Sequence, residues 1–296
     1  MRSSAFRGQR RQIPLSSVKL YATKGNDMHH IKGTWRSRST ILKAAAFATV
    51  AGLLATPVLA VHSWENYHWK RTTTQISPPV GDNVTTTWDS YLRTAVADWN
   101  RSTVIQSSLT TGQTTRSTCG PKLGRIEVCN YAYGATGWLG IAQIWLSGGH
   151  IAQGTSKMND TYYAQAQYNT PAWRAAVMCQ EIGHDYGLAH QDEDFSTDAT
   201  TSCMEYTSWP AGNEHPDTHD YNQLLSIYNH VESASAASPG AVPPALAIGN
   251  TMKEWGRVIG TDKQGHWNKF ERDLGNGVKV ITHVTWLPEM HVGHNH

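Results

Sequence analysis

The stretch that most constrains this chain is residues 179–193, CQEIGHDYGLAHQDE. Residues three and four apart are neighbours on a helix, so Glu181 and His184 would lie close together on adjacent turns. Gly187 then allows the backbone to leave the helix with positive φ, which is costly for any residue that carries a Cβ. Three residues later the chain reaches His190, which can approach His184 from another direction. The spacing predicts two imidazoles and one carboxylate converging on a cation.

Each of these residue types has a defined role at a zinc site. Imidazole nitrogens bind zinc, and a carboxylate beside the open coordination position can take a proton from water and pass it to a leaving amine. The position one turn before His184 holds Gln180, whose neutral amide oxygen is a poorer zinc donor than imidazole. We therefore predict His184 and His190 as ligands, Gln180 as a weak third ligand, and Glu181 as the general base.

The whole pattern resembles the signature of the metzincin zinc proteases, H-E-x-x-H-x-x-G-x-x-H followed by a turn that contains Met. Met204, within SCMEY, stands where that methionine would form an apolar floor under the metal. Tyr206 matches a tyrosine that approaches the zinc in the astacin and serralysin branches. The layout is closest to matrixin-like bacterial secreted proteases. Over residues 61–231 the resemblance implies a zinc endopeptidase in which Tyr206 steadies the oxyanion.

Gln180 departs from that signature and leaves three hypotheses open. Losing even an outer-shell partner lowers metal affinity or activity by about 10–100-fold, so a ligand His replaced by Gln should lower it at least as much. The first hypothesis is weak zinc binding with residual peptidase activity. The second is a catalytically inactive pseudoprotease that acts as a binding module. The third is a different metal or an error in the sequence. A separate idea is a cell-surface adhesin that uses the C-terminal hairpin.

Periodicity predicts the elements around this motif. Apolar residues recur at helical spacing from Trp88 to Trp99, and a second helix starts with Thr170 as N-cap and Pro171 as its first residue. A later amphipathic helix, 217–231, has a buried side that we predict from its apolar residues (Tyr221, Leu224, Leu225, Tyr228 and Val231). Residues 266–274 and 278–287 read as a β-hairpin around Gly275-Asn276-Gly277.

These elements predict an α/β chain of the α+β type. We expect a metzincin-like catalytic domain with a mixed, twisted sheet and two long helices, followed by a small C-terminal β segment. The predicted boundaries are 1–60 for an N-terminal extension and signal peptide, and 61–231 for the metalloprotease domain. A linker rich in Ala, Ser and Pro spans 232–251, and the β segment spans 252–296.

The N-terminal residues indicate export. Basic residues precede an apolar run at 41–60 that ends in small residues, which is typical of a secretory signal peptide cleaved near Ala60. A membrane anchor is the alternative, but the run is short for a span and contains Pro57. We expect a secreted, extracellular protein with no membrane association once the signal is removed.

Charge and cysteine content agree with export. Residues 1–60 hold 10 of the 25 basic residues but one of the 23 acidic ones, so the remainder carries a net charge of about −7. That balance gives no electrostatic footprint for nucleic acid. We expect a monomer whose partner is a protein or peptide substrate. The four cysteines allow three pairings, of which we favour Cys119–Cys129 and Cys179–Cys203.

Two further clusters have competing interpretations. The acidic residues Asp185, Asp192, Glu193 and Asp194 offer oxygen ligands for a structural Ca²⁺, but a solvated face explains them more simply. His150, His215, His219 and His230 are scattered along the sequence. We interpret them as surface or helix-capping residues rather than ligands.

Overall fold

The computed structural model describes residues 62–63, 65–233 and 247–288. The predicted signal peptide and most of the predicted linker lie outside the described residues. The described part is α+β, with a dominant sheet and few helices. Within the described ranges, no helix has both the length and the apolar character needed to span a membrane.

Nine strands and five helices make up this part of the chain. The strands are β1 (His68–Trp69), β2 (Val80–Asn83), β3 (Leu109–Thr111), β4 (Ile126–Tyr131), β5 (Trp138–Ser147), β6 (His150–Asn159), β7 (Arg257–Thr261), β8 (Trp267–Gly275) and β9 (Val278–Trp286). The helices are α1 (Asp89–Trp99), α2 (Asp160–Tyr163), α3 (Pro171–Asp185), α4 (Thr218–Ile227) and α5 (Met252–Trp255).

All nine strands belong to one mixed sheet. Its order is β3-β2-β4-β6-β5-β9-β8-β7, and β1 pairs with β6. Pairing is parallel among β3, β2, β4 and β6 and antiparallel from β6 through β5, β9 and β8 to β7. The two longest helices, α1 and α3, pack against each other over one main hydrophobic core. A mixed sheet with two long helices agrees with the predicted fold class.

Helix α3 begins and ends where the sequence predicts. The Thr170 hydroxyl accepts a hydrogen bond from the Trp173 amide at 3.2 Å, and Pro171 is the first helical residue. After Asp185 the chain turns through Gly187, whose φ is +96°. A Cβ at Gly187 would lie 2.4 Å from the carbonyl oxygen of Tyr67, so this turn requires glycine.

The C-terminal strands join the main sheet. Strand β9 pairs with β5 along its length, with Thr285 opposite Gly140 and His283 opposite Ala142. Strands β8 and β9 are connected at Asn276 and Gly277, which both have positive φ, so the predicted hairpin turn is confirmed. The domain boundaries stay a prediction, but the structure shows that the C-terminal β segment and the predicted protease region share one sheet.

Alternate residues of β9 are buried on opposite faces of the sheet. Ile281 belongs to the core beneath α1 and α3, whereas Val280, Val284 and Trp286 belong to a second core on the other face. Because side chains alternate along a strand, His283 lies on the same face as Ile281. The position of His283 therefore follows from the register of β9.

Cysteine pairing and burial test two other predictions. Both favoured disulfides are present, Cys119–Cys129 and Cys179–Cys203. The second connects α3 to the segment that carries Met204. The predicted burial of Leu225 and Val231 is wrong, since these two side chains are 49% and 61% exposed. Val231 lies beyond the end of α4, so its helical periodicity does not apply.

A buried lysine attaches the residues before α5 to the sheet. Lys157, in β6, donates through Nζ to the carbonyl oxygen of Ile248 at 3.2 Å and to Oδ1 of Asn250 at 3.1 Å. It also donates to Oε1 of Gln143 at 3.2 Å. Burial lowers the pKa of Lys157 to about 8.

The turn at Gly187 gives a test of backbone strain and steric contact. Gly187→Ala should lower the free energy of unfolding by about 3 kcal/mol or more, because the methyl group meets a carbonyl oxygen as well as an unfavourable φ. Gly149→Ala is the matched control, since Gly149 has φ +85° but open space around it. We expect the control to lower stability by about 1 kcal/mol. Urea unfolding measures both variants, and equal losses would contradict the close packing at Gly187.

Lys157 gives a test of pH dependence. Its folded-state pKa lies below its unfolded value of about 10.4, so the unfolded chain binds more protons between these values and stability rises with pH. Relative to Lys157→Met, the wild-type free energy of unfolding should rise by about 2 kcal/mol from pH 8 to pH 10. Denaturant unfolding at several pH values measures the difference. A difference that is flat or falls with pH would contradict the lowered pKa of Lys157.

Candidate metal centre

Three buried imidazoles meet between α3, the turn after it, and β9. Nε2 of His184 lies 3.1 Å from Nε2 of His190. The ring of His283 stacks on that of His184 with centroids 4.1 Å apart, and its centroid lies 4.3 Å from that of His190. One ligand nitrogen from each of the three rings lies within 4.8 Å of the other two. The structure thus brings the two predicted histidines together and adds a third.

The register between α3 and β9 explains how His283 reaches the site. The Thr285 hydroxyl donates to Oε1 of Gln180 at 2.6 Å, and His283 stacks on His184. Four residues of helix advance about 6 Å and two residues of strand about 7 Å. The spacing between Gln180 and His184 on α3 therefore matches the spacing between Thr285 and His283 on β9, and the two elements run in opposite directions.

The arrangement fits a tetrahedral zinc ion. Zn–N bonds of about 2.0–2.1 Å at tetrahedral angles separate two ligand nitrogens by about 3.3 Å, close to the 3.1 Å between His184 and His190. Three histidines with one open position are a common catalytic donor set for zinc. His184, His190 and His283 would hold the ion, and the fourth position would remain available.

The imidazoles are neutral, as metal binding requires. Burial lowers the pKa of His184 well below its usual value, and His190 acts in the same direction. Burial also lowers the pKa of His190, and burial together with His184 lowers that of His283. Nδ1 of His184 lies 2.7 Å from the carbonyl oxygen of Leu188. A proton on Nδ1 leaves the lone pair of Nε2 directed at the cluster.

His190 is oriented by a carboxylate that also contacts the C-terminal hairpin. Its Nδ1 lies 3.4 Å from Oε1 of Glu193, and Nζ of Lys269 lies 3.1 Å from the same oxygen. Although burial raises the pKa of Glu193, His190 and Lys269 hold it at about 2. The carboxylate is therefore ionised and positions His190 from behind the ring.

Glu181 is a buried carboxylate on the same helix. A Cβ at Gly140 of β5 would lie 2.3 Å from Oε1 of Glu181, so glycine at that position makes room for the carboxylate. Within the described residues, neither oxygen of Glu181 has a hydrogen bond of good geometry, because the nearby Thr285 hydroxyl donates to Gln180. Burial raises the pKa of Glu181 well above its usual value, and Thr285 opposes this effect in part.

Gln180, predicted as a weak third ligand, has both ends of its amide engaged by the protein. Nε2 donates to the carbonyl oxygen of Glu205 at 3.1 Å, and Oε1 accepts from Thr285. These contacts favour His283 as the third donor. The sequence held one signal for it, since His283 is the one ionisable residue in the β-branched run VITHVTWL, 280–287. The pattern of that run predicts a strand of the C-terminal hairpin and does not by itself indicate a ligand.

Tyr206 and Met204, in the segment after His190, pack against residues of the site. The Tyr206 hydroxyl donates to the carbonyl oxygen of Val284 at 2.9 Å, and its ring centroid lies 4.0 Å from that of His190. Tyr206 thus packs against His190 and bonds to β9 at the residue that follows His283. Its role at an oxyanion stays a prediction. Met204 is fully buried, and a Cβ at Gly183 would lie 2.5 Å from its sulfur.

The acidic cluster after α3 gives no support for calcium. Asp185 is buried and accepts from the Ser156 hydroxyl at 2.7 Å, and Asp192 is buried as well, so the solvated-face interpretation is wrong for these two residues. Asp192 pairs with Lys263 of the C-terminal region. Together with the Glu193–Lys269 pair, this contact gives two of the four carboxylates an ammonium partner.

The centre is closed in this conformation. His184, His283 and Glu181 are 0% exposed, and His190 is 5% exposed. Strand β9 pairs with β5, so that edge of β5 is not free to pair with an extended peptide. Beside Gln180 a cavity of about 20 Å³ has room for about one water molecule.

Comparison with known proteins adds a weak structural similarity. No protein-family model matches the chain, and no curated protein sequence is significantly similar to it. Among solved structures, high choriolytic enzyme 1 from the medaka fish Oryzias latipes, a hatching enzyme zinc-protease, matches with a TM-score of 0.32 and 13% sequence identity. The match covers 55% of this chain and 94% of that one. A similarity of this size carries no weight for function, which rests on the geometry of the centre.

Replacing His283 tests which residue is the third ligand. His283→Ala should weaken zinc binding by about 100-fold or more, because a direct donor is lost where even an outer-shell partner matters by about 10–100-fold. Gln180→Met keeps the volume, removes the polar amide, and should leave the affinity within about 10-fold. Zinc titration against a competing chelator measures both variants.

The same pair of variants can contradict this ligand set. If Gln180→Met weakened zinc binding as strongly as His283→Ala, the amide would be a ligand. If His283→Ala bound zinc like the wild type, the stacked imidazole would have no part in coordination. Circular dichroism of the metal-free proteins shows that each variant is folded before titration.

Proposed function

We propose that this chain is a secreted zinc-dependent endopeptidase. The observation that carries the proposal is the cluster of three neutral imidazoles with the Glu181 carboxylate on the same helix as His184. The resemblance of residues 179–193 to the metzincin signature supports the same activity from the sequence. Peptide hydrolysis needs a Lewis acid and a proton carrier, and Glu181 stands three residues before the proposed ligand His184 on α3, a spacing that puts two side chains on adjacent turns.

The residues divide the chemistry among them. His184, His190 and His283 would hold the zinc ion, which supplies a Lewis acid that polarises the peptide carbonyl and activates water. Glu181 takes the proton from the attacking water. The charge of a bound cation would oppose the effect of burial on the Glu181 pKa and keep the carboxylate ionised to accept that proton, which it then passes to the leaving amine. Gly140 leaves the space in which the carboxylate carries out both transfers.

The setting agrees with an extracellular enzyme. Two disulfides are compatible with an oxidising compartment, and the sequence predicts a signal peptide before them. The proposed substrate class is protein or peptide, without nucleic acid. We propose that the protein acts as a monomer.

A second candidate is a metzincin-like binding module without catalysis. The observation that favours it is the closure of the centre, since β9 covers the edge of β5 and Glu181 is fully buried. In that case zinc would hold the C-terminal hairpin to α3 and would serve structure alone.

Glu181→Gln separates the two functions. If Glu181 carries the proton, hydrolysis of casein by the exported chain should fall by about 100-fold or more, while the zinc content stays the same. Asp185→Asn is the matched control, because Asp185 is buried one turn further along α3 and has no role in proton transfer. A chelator should abolish the wild-type activity.

Two results would overturn the enzymatic proposal. The first is zinc-loaded wild-type protein without chelator-sensitive hydrolysis, which would leave the binding module as the function. The second is equal turnover by Glu181→Gln and the wild type, which would remove Glu181 from the mechanism.

A further inference from the structure

Four side chains outside the buried centre converge on the surface. His68 belongs to β1 and His150 begins β6, and the two residues are partners in the parallel β1–β6 pair. His230 and Glu232 come from the chain after α4. Three segments that are distant in sequence therefore meet at one point, which we call the surface histidine cluster (His68, His150, His230 and Glu232). The sequence-based interpretation of His150 and His230 as ordinary surface residues did not foresee this convergence.

The distances in this cluster suit a metal ion. Nε2 of His230 lies 3.2 Å from Nε2 of His68, and Nε2 of His68 lies 3.8 Å from Oε1 of Glu232. The ligand atoms of His68, His230 and Glu232 all lie within 4.8 Å of one another. Two nitrogens bound to one tetrahedral zinc ion are about 3.3 Å apart, which matches the contact between His68 and His230.

Neighbouring groups orient these donors as they do around metals in proteins. Nδ1 of His68 lies 2.6 Å from the carbonyl oxygen of Asn66, so a proton on Nδ1 leaves the lone pair of Nε2 facing the cluster. The Arg71 amide donates to Oε2 of Glu232 at 3.0 Å, and His150 pairs with Oε1. His150 and Arg71 thereby hold the carboxylate in place.

The cluster is also accessible to an ion from solvent. The side chains of His68 and Glu232 are 13% and 15% exposed, and His230 is exposed. An open cleft of about 250 Å³ adjoins it, lined in part by Asn66, His68, Asn229 and His230. A metal can therefore enter without any change of fold, and water can complete its coordination.

We propose that His68, His230 and Glu232 form a second zinc site, with His150 as the outer-shell partner of the carboxylate. Two imidazoles and one carboxylate, with water in the fourth position, are an established zinc donor set. The bound ion would fasten the chain after α4 to β1 and β6. This site is independent of the buried centre and of the proposed peptidase activity.

Zinc stoichiometry tests the proposal. The metal-free protein is titrated with Zn²⁺ alone and then freed of weakly bound ion by gel filtration before elemental analysis. We expect one zinc equivalent that survives His283→Ala but is lost in His230→Ala and in His68→Ala. His215→Ala is the control, because His215 is an exposed histidine paired with a single carboxylate, Asp98 at 2.6 Å. The control should retain the full zinc content.

Thermal unfolding provides a second readout. Zinc should raise the melting temperature of the His283→Ala variant, and this rise should disappear when His230→Ala is added. His230 is exposed, so its replacement leaves the metal-free fold intact. A zinc equivalent that persists in the His283→Ala background after both His68→Ala and His230→Ala would overturn the proposal. So would a protein whose entire zinc content is lost in His283→Ala.

Discussion

The antiparallel pairing of β9 with β5 is the constraint on which the rest of the structure depends. It places Thr285 against Gln180 and His283 against His184, because two residues of strand and four residues of helix advance by nearly the same distance. A shift of one residue in that register would turn His283 to the opposite face of the sheet. The metal centre would then have two histidines instead of three. Strand register in the C-terminal hairpin thus determines the chemistry of a helix about one hundred residues earlier.

Several contacts stabilise that register. Tyr206 donates to the backbone of β9 at Val284, and Asn268 of β8 donates to the Tyr206 hydroxyl at 3.2 Å. Lys269 pairs with Glu193, which in turn orients His190. The residues that position the metal ligands are therefore the same residues that hold the hairpin to the rest of the fold. Metal binding and docking of the hairpin should stabilise each other through this linkage.

Much of the centre could be predicted from local sequence. The N-cap Thr170, Pro171 and the glycine turn at Gly187 specify α3 and its exit, and this turn is what brings His190 to His184. Both favoured disulfides and the hairpin turn were also correct. Each of these signals acts over a short stretch of chain or follows from residue type, so the sequence alone carries it.

His283 could not be assigned in the same way. Its position depends on a strand pairing between residues about 140 apart, and local periodicity does not specify which edge β9 will join. The surface histidine cluster could not be predicted for the same reason, since it assembles from β1, β6 and the chain after α4. Gln180 occupies the expected helical position, but the direction of its amide follows from Thr285 on β9.

The most direct measurement is a crystal structure of the zinc-loaded protein with anomalous diffraction at the zinc edge. We predict an anomalous peak about 2.0–2.1 Å from an imidazole nitrogen of each of His184, His190 and His283. A peak coordinated by His184, His190 and the amide oxygen of Gln180, with His283 turned away, would contradict this prediction.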